Sequence, residues 1–249
     1  MPLMQHISIG GLNIHNVTMQ QAVGRCLELA ASGGGAVYTP NAEMAKLALD
    51  DPAFLDLLNR GDLVVPDGAG VVLAAKLLGT PLAGKVAGVE LAQNLLAPMQ
   101  QRGLSLFLFG GKPGVAQRAA QAVRAKYPGL AVCGVADGYF DDEAQRVSLI
   151  AQSGADVVFV CLGSPKQEYF IDAHRGQCHA LMLGLGGTLD ILAGEAKRAP
   201  AFFVEHNLEW LYRGAFDVKR WKRLMKIPAF LADVSRLRRT GEKDRSEER

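Results

Sequence analysis

The sequence predicts an α/β fold in which a Rossmann-like, mostly parallel sheet is flanked by helices. Apolar segments of strand length alternate with amphipathic segments of helix length through most of the chain. Several strand segments, such as residues 157–162, are apolar at every position. That pattern is typical of parallel strands that are covered on both faces, and right-handed crossovers through the helices would join them into one sheet.

The predicted elements follow this alternation in chain order. The predicted strands are residues 7–9, 36–38, 62–65, 105–109, 131–135, 156–161 and 180–183. The predicted helices are residues 18–31, 42–49, 53–59, 69–78, 89–102, 115–126, 141–152, 166–174 and 200–212. The sheet pattern then stops, so we expect an α/β domain of residues 1–212, a basic, amphipathic helical C-terminal appendage of residues 213–240 and a disordered tail of residues 241–249.

The composition is that of an ordinary soluble globular protein. Of the 249 residues, 49% are hydrophobic and 21% are charged, and a chain of this length can bury a full core without disulfides or metals. No apolar run approaches the roughly 18 residues of a membrane span, and no signal peptide is predicted. The four cysteines match no zinc or C-x-x-C spacing, so we expect reduced, mostly buried thiols in a cytoplasmic protein.

The net charge of +2 conceals an uneven distribution. Residues 211–249 contain twelve Lys and Arg against six Asp and Glu, so the rest of the chain has a net charge of −4. A basic C-terminal segment on a mildly acidic body predicts an anionic partner for that segment, such as a phosphate group, a nucleic acid or a membrane surface.

Glycine, proline and polar residues follow six of the predicted strands. These loops are residues 39–43, 66–70, 110–114, 137–140, 163–168 and 184–188. In an open α/β sheet, ligands bind at the carboxyl ends of the strands, so the loops predict one composite site. For any single loop, a simple turn explains the glycine and proline equally well.

Two of these loops suggest specific chemistry. Gly110 and Gly111 precede a helix, where backbone N–H groups can approach an anion, although the loop is neither a P-loop nor a dinucleotide fingerprint. Asp67 follows an apolar strand and is either a general base or a turn and N-cap residue for the helix that starts near Ala69. The chain has no D-x-D motif, so we predict no metal site.

Six motifs in order carry a resemblance to a known family. They are TPNAEM, VVPDGAGVV, LFLFGGKPGVA, DGYF, CLGSPKQEYF and GGTLDILAGEAKRAPAFFVEHNLEWLYR, between residues 7 and 221. Together they resemble the WecG/TagA/CpsF glycosyltransferases. The resemblance implies a cofactor-free, metal-independent, inverting transfer from a UDP-sugar to undecaprenyl-diphosphate-linked N-acetylglucosamine. It implies UDP-N-acetylmannosamine as donor in the TagA branch, for teichoic acid linkage units, and the uronic acid analogue in the WecG branch, for enterobacterial common antigen.

The resemblance also implies which residues form the site. Asp67 matches the catalytic base of the family, and Thr39, Asn41 and Gln167 match polar groups next to the reacting sugars. Lys85 and Glu90 stand where the family pattern has arginine and aspartate, and lysine lacks the bidentate fork of arginine. The substrate-binding residues that we predict from the matched motifs and strand-end loops are Lys85, Gly110, Gly111, Lys112, Asp137, Tyr139, Gly186, Gly187, Asp190, Arg213, Arg220 and Arg223.

The appendage admits two interpretations. Trp221, Leu224, Met225 and Pro228 share one face of a predicted helix, and Pro228 ends that helix and starts another through Phe230, Leu231, Val234 and Leu237. The apolar face of this segment would either enter an anionic inner-membrane surface or pack on the body. The predicted partners are a UDP-sugar donor, a lipid-linked acceptor and that membrane surface, without nucleic acid, and the sequence leaves homo-oligomerisation open. The rival functions are a nicotinamide or flavin oxidoreductase on the same fold and a non-catalytic nucleic-acid binder.

Overall fold

The computed structural model describes residues 5–196 and 226–247, and its centre is a six-stranded parallel sheet. The strand order is β4-β3-β8-β7-β5-β6, with every neighbouring pair parallel. The strands are β3 (Gly35–Tyr38), β4 (Leu63–Val64), β5 (Ser105–Gly110), β6 (Ala131–Ala136), β7 (Val157–Cys161) and β8 (Leu181–Gly184). The predicted parallel sheet is therefore confirmed.

Helices cover both faces of this sheet. They are α1 (Met19–Ala31), α2 (Ala42–Asp50), α3 (Pro52–Asn59), α4 (Ala69–Leu77), α5 (Gly88–Gln101), α6 (Val115–Lys126), α7 (Glu143–Gln152), α8 (Lys166–Cys178), α9 (Thr188–Leu192) and α10 (Lys226–Glu247). The short helix α9 was not predicted. Helix α8 extends four residues beyond the predicted end, to a left-handed C-cap at His179.

The strands divide their side chains between two apolar cores. Phe107 and Phe109 of β5 lie in one core, whereas Leu106 and Leu108 lie in the other. All four side chains are buried. This alternation explains why the strand segments are apolar at consecutive positions: each strand is covered by a helix layer on either side.

An antiparallel hairpin of β1 (His6–Ile9) and β2 (Leu12–His15) precedes the sheet. Strand β2 was not predicted, whereas β1 was. The hairpin contacts β4 through His15, whose Nδ1 accepts a hydrogen bond from the Val64 N–H at 3.0 Å. Burial, together with the nearby His6, lowers the pKa of His15 to about 4. A neutral imidazole thus fastens the hairpin to the sheet edge.

Helix α10 packs on the α/β body. Phe230 and Val234 are fully buried in the same core as α2 and α4, and Asp233 forms an ion pair with Lys46 of α2 at 3.1 Å. The expectation that this apolar face enters a membrane is therefore wrong for Phe230 and Val234, because the body already covers them. The helix continues through residues 241–247, where the sequence predicted disorder; charged residues with good helix propensity are common there.

Several predictions for the C-terminal third lie outside the described residues. These are the helix at 200–212 and the residues Arg213, Arg220 and Arg223. Within residues 5–196 and 226–247, no helix is both long enough and apolar enough to cross a bilayer. Three of the four cysteines are buried as expected, whereas Cys133 is exposed on the edge strand β6, and all four are free thiols.

Candidate active site

The loops that follow the parallel strands meet at the carboxyl edge of the sheet. The strand order places the loop after β4, which carries Asp67, beside the loop after β3, which carries Thr39 and Asn41. The loops after β8 and β7 come next, with Gly186 and Gln167. The four residues predicted to take part in catalysis therefore follow three strands, β4, β3 and β7, and the predicted substrate-binding residue Gly186 follows β8 between β3 and β7.

Asp67 is half-buried and faces the start of α5. Its carboxylate oxygen Oδ2 accepts a hydrogen bond from the Gly88 N–H at 3.3 Å, and its own N–H donates to the Pro40 carbonyl at 3.0 Å. A negative charge is favourable at a helix start, where the first N–H groups have no intrahelical acceptor. Helix α4 has Gly68 as its N-cap with no side-chain hydrogen bond, so the alternative role of Asp67 as cap of that helix is wrong.

Thr39 is buried between β8 and the start of α5. Its hydroxyl donates to the Gly184 carbonyl at 2.9 Å. A Cβ atom at Gly88 would lie 3.1 Å from the hydroxyl oxygen of Thr39, so the absence of a side chain there lets α5 start close to Thr39. The single hydroxyl proton is used within the protein, which leaves the oxygen able only to accept hydrogen bonds from a ligand.

Asn41 begins the helix after β3. Its side-chain oxygen accepts hydrogen bonds from the backbone N–H groups of Glu43 at 2.9 Å and Met44 at 3.1 Å. The residue is exposed at the carboxyl edge. Because the oxygen caps α2, the amide NH₂ is the part of Asn41 that is suited to contact a sugar.

Lys85 lies in the segment between α4 and α5, next to the loop of Asp67. The Val86 N–H donates to the Pro66 carbonyl at 2.8 Å, which brings the residue after Lys85 beside the residue before Asp67. The Lys85 ammonium lies 4.0 Å from a carboxylate oxygen of Glu90, in the first turn of α5. The segment that carries the expected basic position therefore lies beside the loop of the candidate base.

Gln167 connects two loops from a buried position. Its oxygen Oε1 accepts hydrogen bonds from the Gly163 N–H at 3.2 Å and the Gly186 N–H at 2.9 Å, and its Nε2 donates to Oε1 of Glu168 at 2.7 Å. Sequence reasoning did not select Glu168, which is fully buried. Its signal was its spacing, because positions 167, 168, 170 and 171 form the inward face of α8.

The loop after β5 is built around two glycines. Gly110 has φ +127°, and a Cβ atom there would lie 2.2 Å from the Cys161 carbonyl oxygen. The Gly111 N–H donates to that same carbonyl at 3.1 Å. The Gly111 N–H therefore serves the contact with β7 in this arrangement, whereas Lys112 is exposed at the edge.

The loops after β6 and β8 complete the edge. Asp137 accepts a hydrogen bond from the Tyr139 N–H at 2.9 Å, and this turn leaves the Tyr139 side chain 64% exposed. Gly187 is the N-cap residue of α9, and Asp190 lies in its first turn. Tyr139 and Asp190 are thus placed at the carboxyl edge, on either side of the Gly110 loop in the strand order.

Among residues 5–196 and 226–247, no three His, Cys, Asp or Glu side chains come together in an arrangement that could hold a metal ion. The carboxylates of the predicted site instead contact backbone N–H groups: Asp67 contacts Gly88, and Asp137 contacts Tyr139. The predicted phosphate-binding arginines Arg213, Arg220 and Arg223 lie outside the described residues.

Comparison with known proteins identifies the family. A family model described as "Glycosyl transferase WecG/TagA/CpsF family" matches residues 7–244. Three similar proteins are N-acetylglucosaminyldiphosphoundecaprenol N-acetyl-beta-D-mannosaminyltransferases. That of Bacillus spizizenii is 36% identical over 84% of this chain and 82% of its own length. That of Bacillus subtilis is 35% identical over 81% and 79%, and that of Staphylococcus aureus is 34% identical over 94% and 93%. The chain therefore belongs to the WecG/TagA/CpsF family and is a glycosyltransferase.

Proposed function

We propose that this enzyme transfers N-acetylmannosamine from UDP-N-acetylmannosamine to undecaprenyl-diphosphate-linked N-acetylglucosamine, as in the synthesis of a teichoic acid linkage unit or a related surface polysaccharide. The names of the three relatives support the sugar and the acceptor. The observation that carries the proposal is the position of Asp67 at the carboxyl edge, with its carboxylate at the start of α5. The alternative donor is the mannosaminuronic acid analogue.

In the proposed reaction, Asp67 takes the proton from the attacking hydroxyl of the acceptor sugar. The hydroxyl oxygen forms a bond to the anomeric carbon of the donor while the bond from that carbon to the diphosphate breaks. The electron pair leaves with UDP, and a single displacement inverts the anomeric configuration. One carboxylate is sufficient for this mechanism, because no covalent sugar intermediate has to form.

The negative charge that develops on UDP requires cations or N–H groups. Lys85 is the candidate cation among the described residues, because its segment is joined to the loop of Asp67. We assign Arg213, Arg220 and Arg223 to the same task, with the acceptor's diphosphate as a second target. In support, α10 begins beside the first turn of α4: Ile227 lies 3.6 Å from where a Cβ atom at Gly70 would be, and Gly70 is three residues after Asp67.

We also propose that the enzyme acts peripherally at the inner face of the cell membrane, where its lipid-linked acceptor would lie. The net charge of +6 in residues 211–249 supports attraction to anionic lipid. Because Phe230 and Val234 are buried against the body, we assign membrane contact to residues 213–225, which contain Trp221, Leu224 and Met225.

A donor panel tests the proposed function. The full chain is incubated with UDP-N-acetylmannosamine, its uronic acid, UDP-N-acetylglucosamine or UDP-glucose, and with a short-chain polyprenyl-diphosphate N-acetylglucosamine as acceptor. We expect a product with the added mass of one N-acetylhexosamine from UDP-N-acetylmannosamine. A product from the uronic acid alone would select the alternative donor, and no product from any donor would contradict the proposed reaction.

Metal independence is a separate prediction, which rests on the missing D-x-D motif and on the family resemblance. Turnover in excess EDTA should equal turnover in magnesium. The same EDTA-treated sample, dialysed back into magnesium, serves as the control for damage by the chelator. Loss of turnover in EDTA that returns with Mg²⁺ or Mn²⁺ would show that the enzyme uses a metal.

A further inference from the structure

Two adjacent polar side chains are buried beneath the carboxyl edge, in the first turn of α8. Gln167 is 3% exposed and Glu168 is 0% exposed. The three hydrogen bonds of Gln167 reach three different places: the loop after β7, the loop after β8 and the neighbouring carboxyl group. Because buried polar groups are almost always hydrogen-bonded, each polar atom of this pair is expected to have a partner.

The Gln167 amide is held by two backbone donors at its oxygen and by the Glu168 carboxyl group at its nitrogen. In the observed orientation, the amide oxygen accepts from the N–H groups of Gly163 and Gly186, and the amide nitrogen donates to Glu168. If the amide turned over, its NH₂ group would face two backbone donors and its oxygen would face the carboxyl group. The two backbone donors therefore set the orientation of the amide, and an acceptor at position 168 holds it in place by binding the NH₂ group.

The second oxygen of Glu168 has no hydrogen-bond partner among the described residues. No ion pair of Glu168 occurs in that part of the chain either, and burial raises the pKa of this carboxyl group against the opposing effect of its hydrogen bonds from Gln167 and Ser164. An unpartnered buried oxygen and desolvation both disfavour the ionised carboxylate, so this arrangement favours the neutral acid.

The pair also lies next to Gly184, the residue whose carbonyl holds Thr39. A Cβ atom at Gly184 would lie 3.0 Å from Nε2 of Gln167 and 3.3 Å from Oε1 of Glu168. Gly184 in turn accepts the hydrogen bond of the Thr39 hydroxyl. Glu168 and Gln167 therefore lie beside the residue that holds Thr39, which is next to the reacting sugars in the proposed function.

We propose that Glu168, as a neutral carboxyl group, is a positioning residue for sugar transfer: it fixes the Gln167 amide and, through it, the loops that carry Gly163 and Gly186. This inference rests on the proposed function for its effect on turnover. Its effect on the two loops is independent of the substrate.

Two substitutions separate this role from others. Glu168→Gln keeps a carbonyl acceptor for Gln167 and carries no charge, so kcat should stay within about threefold of the wild type. Glu168→Met has similar volume but no comparable acceptor, so kcat should fall on the order of 10- to 100-fold with a smaller change in KM, as for misplaced catalytic groups. Glu143→Met, the same change at a half-exposed glutamate of α7, is the matched control.

Amide hydrogen exchange gives a readout that does not need the substrate. In Glu168→Met, the amides of Gly163 and Gly186 should exchange faster, while the amide of Leu108 in the centre of the sheet should not change. Glu168→Gln and Glu143→Met should leave all three at the wild-type rate. In infrared difference spectra, the carbonyl band of a protonated carboxyl group should be present in the wild type and absent from Glu168→Gln.

The outcomes decide the proposal in each case. Equal loss of turnover in the Gln and Met variants would overturn it, because an ionised carboxylate would then be required. Unchanged exchange at Gly163 and Gly186 in the Met variant would also overturn it. If the Met variant does not fold, the infrared band together with wild-type exchange in the Gln variant supports the proposal, and absence of the band overturns it. If no sugar donor reacts, the proposed function fails, but amide hydrogen exchange and the infrared spectra still test the role of Glu168 in holding the two loops.

Discussion

At the carboxyl edge of the sheet, side chains hold the loops after β3, β4 and β8, whereas backbone groups hold the loop after β5. Thr39, Asp67 and Gln167 each form a hydrogen bond to a backbone group of another loop or helix. Gly110 and Gly111 instead lie directly against the Cys161 carbonyl of β7. The first half of the edge depends on polar side-chain chemistry, and the second half depends on the space left by missing side chains.

This difference determines which substitutions report on function and which report on stability. In the half that contains Asp67, an isosteric change can remove a chemical group and leave the fold intact. At Gly110, an added side chain would meet the backbone of β7, so stability changes before chemistry does. Substitutions in the two halves should therefore separate activity from stability, and the predictions below test that separation.

The largest effect is expected at the candidate base. Asp67→Asn keeps the shape of the side chain and removes its basicity, so kcat should fall about 10²- to 10⁴-fold, while the midpoint of urea unfolding and UDP binding stay close to wild type. Asp51→Asn, the same change at the N-cap of α3, is the control and should have normal turnover. Normal turnover in Asp67→Asn would remove this residue from the mechanism.

A large effect on stability is expected at Gly110. An alanine there would place its Cβ atom against the Cys161 carbonyl and would adopt a φ of +127°. Backbone strain and overpacking together should lower the free energy of unfolding by about 2–6 kcal/mol, measured by urea unfolding. Gly103→Ala is the control: its φ is +66°, but no atom lies within 4 Å, so strain acts there without a clash. Equal losses in both variants would contradict the clash.

The same division explains what the sequence could predict. Each predicted strand and helix within residues 5–196 is present, because apolar periodicity reports burial by the sheet and helix layers. The short elements β2 and α9 were missed, since four or five residues carry too little periodicity. The sequence predicted which residues belong to the site, but it could not predict the hydrogen bonds between them. The bond from the Thr39 hydroxyl to the Gly184 carbonyl joins residues 145 positions apart, and it forms only because the strand order places β3 beside β8.

The sequence could not predict which groups the glycines of the loop after β5 contact. Gly-rich loops before helices suggest N–H groups that face an anion, yet the Gly111 N–H belongs to the contact with β7. The burial of α10 was equally hidden, because an apolar helix face that enters a membrane and one that packs on α2 and α4 have the same spacing. Tertiary contacts decide both cases.

A moderate effect is expected at Thr39. Thr39→Val keeps the shape but leaves the buried Gly184 carbonyl without its hydroxyl donor, so the free energy of unfolding should fall by about 1–3 kcal/mol. Thr39→Ser retains the hydroxyl and is the control, with a smaller loss. Urea unfolding at constant pH measures both. Equal stability of the Val variant and the wild type would show that this bond does not hold the loop after β8.

A smaller effect on stability than at Thr39 is expected at Asn41, whose side-chain oxygen stabilises the fold and whose NH₂ group is available to the site. Its oxygen caps α2 and its NH₂ group is the part suited to contact a sugar. Asn41→Ala should therefore lower the free energy of unfolding by about 1 kcal/mol and also reduce turnover. Asn41→Asp keeps the cap but loses the NH₂ group, so it should unfold like the wild type and still turn over slowly. Turnover at the wild-type rate in Asn41→Asp would show that this residue only caps α2. Catalysis at this part of the edge would then depend on Asp67 and not on the Asn41 amide.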